Sequence, residues 1–447
     1  MTVLHSPSHW RRRMTPLRWI AAVSLPLAAL ALVATMPPRA AQAQGGSAEQ
    51  RVQSIVTSPA FRTAQTFLQQ DHPRFVRELT QLTEIPAPPF KEAARGAAYL
   101  EMLRAAGLRD VEQDAEGNVM GIRKGQGGQG LLAVLAHLDT VFPEGTSVKT
   151  TRDGNILRAP GAGDDTGALA LMLAVIRAMD AAKIETPRDI LFVGNVGEEG
   201  EGDLRGVKYL LQRGKYQGRI TSFISIDGGE QDDITTGALG SRRYRVTFKG
   251  PGGHSFGAFG LVSPAFAMGN AINRFSRLSV PATPRTTFNV GVVGGGTSVN
   301  SIPVEMHMDV DMRSESPDAL IRLDTAFQQL VRDAVDEENR VRSTAEGRIT
   351  ADVRLIGDRP SGETARSAPI VQTAVAVVRA YGYQPGYSIG STDANVPISL
   401  GIPAITIGRG AGGRSHSLDE WIDITPEKNV KAGEIVLATV LATAQLP

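Results

Sequence analysis

Two hydrophobic rhythms divide this chain. From Asp71 to about Gly240, stretches with helical spacing alternate with short, unbroken apolar runs. Pro73 to Thr83 predicts an amphipathic helix closed by Ile85-Pro86, and Glu92 to Ala106 a second helix stopped at Gly107. Leu131 to Ala136 is wholly apolar, the mark of a strand buried on both faces. Thr166 to Ala182 predicts a long helix entered from the glycine-rich turn Gly161 to Asp165. Ile190 to Val193 and Phe223 to Ile226 predict two more buried strands. Helices alternating with such strands define an α/β sheet domain, here a central mixed sheet flanked by helices.

The rhythm then changes. Arg242 to Phe248 alternates, Pro264 to Leu278 is helical, and Thr287 to Val293 is extended. Val304 to Met312 alternates strictly, with Met306, Met308, Val310 and Met312 on one face. Asp318 to Asn339 predicts a long amphipathic helix and Ile349 to Ile356 a last strand. The order β-α-β-β-α-β describes a two-layer, ferredoxin-like α+β unit with one open sheet face. After it, Ala368 to Tyr381 is helical again and Ala404 to Ile407 is a buried strand. The expected organisation is a catalytic domain, residues 44–241 and 358–447, interrupted by an inserted domain, residues 242–357.

Composition narrows the classes. The 447 residues are 42% hydrophobic and 21% charged, ordinary for a globular protein, and long enough for two domains. A net charge of +1 gives no reason to expect a nucleic-acid partner. With no cysteine there are no disulfides, no thiolate metal sites, no thiol nucleophile and no lipoprotein anchor. Residues 1–43 read as a secretory signal: Arg11, Arg12, Arg13 and Arg18, then apolar Ile20 to Val33, then Ala41-Gln42-Ala43. The expectation is an exported protein, periplasmic or secreted, without a stable membrane anchor.

Chemistry concentrates where apolar strands end, the place where open α/β sheets gather ligands. His137-Leu138-Asp139 follows one strand, Glu198-Glu199 another, Asp227 a third, and His416 lies downstream of the Ala404 strand. Asp164 stands at the entrance to a helix. Singly, each reads as a cap or surface group; together they form a donor set of imidazoles and carboxylates suited to zinc, with cobalt or manganese as alternatives. An aspartate shared by two ions explains a set larger than one tetrahedral ion needs. Such ions, about 3.5–4 Å apart, activate a bridging water and polarise a carbonyl. Asp139, two residues after His137, is placed to accept the other imidazole N–H.

His137-Leu138-Asp139-Thr140, Gly163-Asp164-Asp165-Thr166-Gly167, Gly197-Glu198-Glu199-Gly200, Asp227-Gly228-Gly229, Gly252-Gly253-His254-Ser255 and Ser415-His416-Ser417 resemble, in that order, the motifs of the co-catalytic zinc exopeptidases. That family includes tripeptide aminopeptidase (peptidase T), glutamate carboxypeptidase, succinyl-diaminopimelate desuccinylase and aminoacylase, and the resemblance spans about Pro73 to Ile424. It implies two zinc ions, one on His137 and Asp227, the other on Glu199 and His416, with Asp164 bridging. It also implies that Glu198 is the general base of a hydrolase acting through a bridging hydroxide, and that the inserted domain is a lid that commonly mediates dimerisation. By the same resemblance His254 steadies the oxyanion, often from the partner subunit, while Asn300 and Arg313 receive a substrate carboxylate. One departure is Thr166, where many relatives carry lysine.

Gly390-Ser391-Thr392-Asp393-Ala394-Asn395 is similar to a substrate-side loop of peptidase T-like members, which points to an aminopeptidase with Ser391 at the substrate. A carboxypeptidase or N-acyl amino acid amidohydrolase is the alternative within the family. A non-catalytic periplasmic solute-binding protein is the alternative from another class, and it leaves the paired glutamates without a role.

Overall fold

The structure, a computed structural model, describes residues 47–446, so the expected signal segment lies outside the described residues. The main sheet runs in the order Arg109–Gln113, Val119–Arg123, Asp189–Asn195, Leu131–His137, Ile220–Gly228, Ala404–Gly408, Asp233–Ala238 and Gly362–Glu363, with Gly386–Gly390 also beside Asp233–Ala238. Its four central strands, Asp189–Asn195 through Ala404–Gly408, are mutually parallel, and antiparallel strands flank them. Every residue of Leu131–His137 is buried, as an apolar run without alternation requires.

Side-chain alternation feeds two cores. Leu132, Val134 and Ala136 pack on one face beneath the helices Pro59–Thr83, Ala168–Ala181, Pro369–Ala380 and Pro426–Ala444. Leu131, Ala133 and Leu135 pack on the other with Val207, Leu210 and Leu211 of the helix Arg205–Gln212. No helix among the described residues is long and apolar enough to cross a membrane.

One helix differs from expectation. Pro73 does not begin a helix; it lies inside Pro59–Thr83. Proline removes one N–H and leaves one carbonyl a turn earlier without its partner. Here that carbonyl belongs to Gln69, an exposed residue that water can reach. The buried stripe Phe61, Ala64, Leu68, Phe75, Leu79 and Leu82 holds the helix together across it.

The second sheet has the order Thr286–Gly295, Glu305–Ser314, Gly240–Lys249 and Thr350–Arg359, all antiparallel, with helices Pro264–Phe275 and Pro317–Val341 on one face. Val246, Phe248, Met308, Val310, Met312, Phe275 and Phe327 form its separate core, with Met306 only partly buried at the margin. The other face stays open and polar, and carries the cross-strand ion pairs Arg243–Asp311 (2.9 Å) and Arg245–Asp309 (2.6 Å). Its last strand ends at Arg359, three residues before Gly362–Glu363 rejoins the main sheet.

Candidate metal centre

The C-terminal ends of the parallel strands converge. His137 closes its strand in register with Asn195 of the neighbouring one, so the chain reaches Glu198 and Glu199 directly beside the imidazole. Asp227 is the penultimate residue of the next strand. Asp164 comes from the wide turn Ala162–Gly167 that precedes the helix Ala168–Ala181, and not from the helix itself. His416 lies in the loop between Gly412–Gly413 and Trp421–Asp423, at a φ of +64°.

Asp164 stands between the two imidazoles. One carboxylate oxygen is 3.0 Å from His137 Nε2 and the other 3.4 Å from His416 Nε2. His137 Nε2 is also 3.7 Å from Asp227 Oδ1, and His416 Nε2 is 2.9 Å from Glu199 Oε1. His137, Asp164 and Asp227, with Asp165, therefore face one point, Glu199, Asp164 and His416 another, and a Glu198 oxygen also comes within 4.8 Å of His137 and Glu199 donor atoms. Donors on one tetrahedral zinc, each about 2.0–2.1 Å from the ion, lie about 3.4 Å apart, so these separations suit one ion at each point. Among the described residues, Asp164, Asp227, Glu198 and Glu199 line one cleft together with Arg243, Arg313, Arg359 and His416. The residues fit a pair of divalent cations.

Burial opposes protonating His137, but the surrounding carboxylates of Asp139, Asp164 and Asp227 outweigh it and hold the imidazole well above its usual range. Hydrogen bonds to Asp164 and Glu199 push His416 up to about 10. For Asp164, burial is outweighed by its contacts to the two imidazoles, so its carboxyl is held low. Burial raises Glu198 well above the usual carboxyl range, only partly opposed by Arg359.

Asp139 corrects the expectation for it. His137 Nδ1 is 3.0 Å from the backbone carbonyl of Asp139, while the Asp139 carboxylate is 3.6 Å away. That carboxylate instead accepts the backbone N–H groups of Glu198 (3.0 Å) and Glu199 (2.8 Å). It holds the tip of the glutamate turn, and the imidazole is oriented by main chain. Both arrangements keep the proton on Nδ1 and leave Nε2 free for a metal.

The substrate residues divide. Arg313 and Ser391 line the same cleft, about 410 Å³, as Asp164, Glu198, Glu199, Asp227 and His416. His254 and Asn300 do not line it. His254 sits exposed on a two-residue strand paired with Ser301–Ile302, its Nδ1 accepting the N–H groups of Phe256 and Gly257. Asn300 is exposed next to it, its carbonyl bonded to Ser255 N. The chain by itself thus brings neither residue to the metal ligands.

Other groups carry no sequence signal. Arg359 Nη1 lies 3.1 Å from Glu198 Oε1 and 3.1 Å from Ser391 Oγ. Arg409 is buried, donates to the carbonyl of Gly228 next to Asp227, and has Nε 3.9 Å from Asp165. Its charge acts on Asp164, Asp165 and Asp227. Thr166 is buried and donates to the carbonyl of Gly161 at 2.7 Å. The buried carboxylate of Glu420 accepts the backbone N–H groups of Gly161, Gly163 and Asp164. An arginine before a proline, an arginine between two glycines and a glutamate four residues after His416 stand in the sequence at these places, and none of these patterns names a partner.

Fold and site together define an α/β protein built around a two-ion donor set. The chain belongs to peptidase family M20/M25/M40, whose model matches residues 133–443. It is similar to the acetylornithine deacetylase of Myxococcus xanthus, 26% identical over 405 residues, 86% of this chain and 98% of that one. A probable carboxypeptidase of Aspergillus clavatus is 26% identical over 264 residues, 54% of this chain and 57% of that one. Among solved structures, aminopeptidase PepT of Bacillus cereus superposes with a TM-score of 0.67 at 22% identity, covering 84% of this chain and 99% of that one. A tripeptidase of Staphylococcus aureus superposes at 0.68 and 21% identity with the same coverage. At such identities these two likenesses show the fold.

Proposed function

We propose that the protein is a two-metal exopeptidase that hydrolyses the amide bond of short peptides. The carrying observation is the Asp164 carboxylate with one oxygen toward His137 and the other toward His416. His137 and Asp227 would hold one zinc, Glu199 and His416 the other, and Asp164 both; cobalt or manganese would satisfy the same donors. When bound, such a pair polarises the scissile carbonyl and acidifies water. Glu198, next to the ligand Glu199 but turned to Arg359, takes a proton from water and returns it to the leaving amine. Asp139 keeps both glutamates in place through their backbone N–H groups.

The direction of attack on the peptide is the finer question. The resemblance of the Ser391 loop and the fold of PepT and the tripeptidase support an aminopeptidase. A specific observation favours the second reading, a carboxypeptidase or N-acyl amino acid amidohydrolase. Arg243 and Arg313 share the single carboxylate of Asp311, which leaves a net positive end in the cleft for a substrate carboxylate. Hydrolysis of a tripeptide, its N-acetylated form and its C-amidated form, each before and after chelation, tests both. Cleavage of the free and amidated forms alone supports the aminopeptidase; cleavage that needs the free carboxylate and tolerates acetylation supports the second reading. Full activity after complete metal removal would refute both.

We read the second sheet as a lid and place its dimer contact on the edge strand Thr286–Gly295, where Val292 and Val293 are exposed. His254 and Asn300 would then serve a partner's cleft. Sedimentation at several concentrations tests the dimer. Export follows the reading of residues 1–43, and a mature N-terminus near Gln44 by mass spectrometry is its test.

A further inference from the structure

Glu420 is fully buried, and nothing in the proposed reaction uses it. Its Oε2 accepts the N–H of Gly161 at 2.9 Å, and its Oε1 accepts those of Gly163 at 2.8 Å and Asp164 at 2.7 Å. All three donors belong to the turn that presents Asp164. The approach is close: a Cβ on Gly163 would come within 3.1 Å of Glu420 Oε1 and 3.2 Å of Arg409 Nη2. The chain also ties back through its backbone, Ala159 N to the Glu420 carbonyl at 3.1 Å.

Glu420 belongs to the same segment as His416, four residues away, just before Trp421–Asp423. One side chain therefore joins the loop that offers His416 to the turn that offers Asp164. The Asp164 carboxylate has to reach both imidazoles at once, and its backbone N–H is one of the three groups Glu420 holds. The His416 loop is tied within itself by Arg414–Asp419 and Ser417–Asp419 contacts. His416 is more than half exposed and stands at a left-handed φ. The Glu420 carboxylate is met by three peptide N–H groups, so its oxygens are occupied by the turn and not by a metal.

We propose that Glu420 is a positioning residue for the metal pair, setting the bridging carboxylate of Asp164 against His416. The inference rests on the two-metal reading above. Groups that orient metal ligands from behind typically change metal affinity by about 10–100-fold when removed.

Zinc titration of the full chain against a competing chelator, with stoichiometry by metal analysis, tests it in wild type, Glu420→Ala and Glu420→Gln. Circular dichroism of each metal-free protein monitors folding. Wild type is expected to hold two equivalents. Glu420→Ala is expected to lose about 10–100-fold in affinity for at least one ion. Glu420→Gln keeps one carbonyl oxygen for Gly163 and Asp164 but turns an N–H₂ toward Gly161, and should fall between the two. With cobalt in place of zinc, the visible spectrum of Glu420→Ala should change in position or intensity, which a purely structural role leaves alone. A folded Glu420→Ala that binds two ions with wild-type affinity and spectrum overturns the proposal. If Glu420→Ala does not fold, wild-type affinity in Glu420→Gln overturns it instead. A wild-type chain that takes up no zinc overturns the two-metal reading and this proposal with it, whereas normal wild-type uptake with unaltered variants removes only the role of Glu420.

Discussion

Arg359 Nη1 lies 3.1 Å from Glu198 Oε1, both side chains about 5% exposed, and its second nitrogen donates to the Glu198 main-chain carbonyl. Arg359 closes the last strand of the second sheet, so that sheet delivers its end to the proposed general base. A single guanidinium grips Glu198 at two points and Ser391 at a third. Arg359→Gln should lower kcat by about 100-fold, because the carboxylate loses its fixed aim while KM changes less. Arg359→Lys should recover only part of this, since an ammonium cannot reproduce the fork. Steady-state kinetics on the best peptide substrate decide; an unchanged kcat in Arg359→Gln would show the pair to be idle.

Replacing the base itself separates chemistry from metal binding. Glu198→Gln should lose about 10²–10⁴-fold in kcat while retaining both zinc ions, since the Glu198 carboxylate is turned to Arg359. Metal analysis run beside the kinetics checks this. Loss of metal from the variant would make Glu198 a ligand.

Metal uptake should release protons. In the metal-free chain hydrogen bonds to Asp164 and Glu199 push His416 up to about 10, so this imidazole is charged at pH 7. Zinc binds the neutral ring, which predicts release of about one proton per chain from His416, measurable by calorimetry in buffers of different ionisation enthalpy. Stability has the matching sign. A pKa raised from 6.5 to about 10 contributes stability that is complete below pH 6.5 and disappears as pH rises through 10. Asp164, held low, stays ionised throughout that window. The melting temperature of chelated protein should therefore fall between pH 7 and 10, and heat signals independent of buffer would contradict the assignment.

The second core offers a control far from the metals. Phe327 is fully buried, with its ring 5.0 Å from Phe275 and 5.7 Å from Tyr244. Phe327→Ala should destabilise by about 3–5 kcal/mol through lost burial and the cavity left behind. Zinc stoichiometry of the folded fraction should stay at the wild-type value. Denaturant titration followed by metal analysis distinguishes this from a core that also shapes the site.

Much of the site was legible because its ligands sit at strand ends. An apolar run such as Leu131 to Ala136 identifies a buried parallel strand, and the residue that follows it lies at the edge where such sheets collect ligands. His137, Asp227 and the Glu198-Glu199 pair follow from that rule, and the β-α-β-β-α-β order from periodicity. Pro73 was misleading for a local reason: the helix signals at that residue are those of a start, whereas the stripe from Phe61 to Leu82 spans it. Asp139 was placed by spacing near His137, yet its carboxylate reaches two backbone N–H groups some sixty residues away.

The sequence by itself determined which segments become buried strands, which acids and histidines end them, and that one aspartate remains for sharing. These are consequences of short-range pattern: period, chain direction and the residue after the last apolar position. Only tertiary structure decided what holds those groups. Arg359 on Glu198, Glu420 under Asp164 and Arg409 beside Asp165 pair residues more than 150 positions apart. It also left His254 and Asn300 outside the cleft. A buried charge must find its partner wherever packing brings one, and that choice follows from the three-dimensional meeting of loops, which no local pattern encodes.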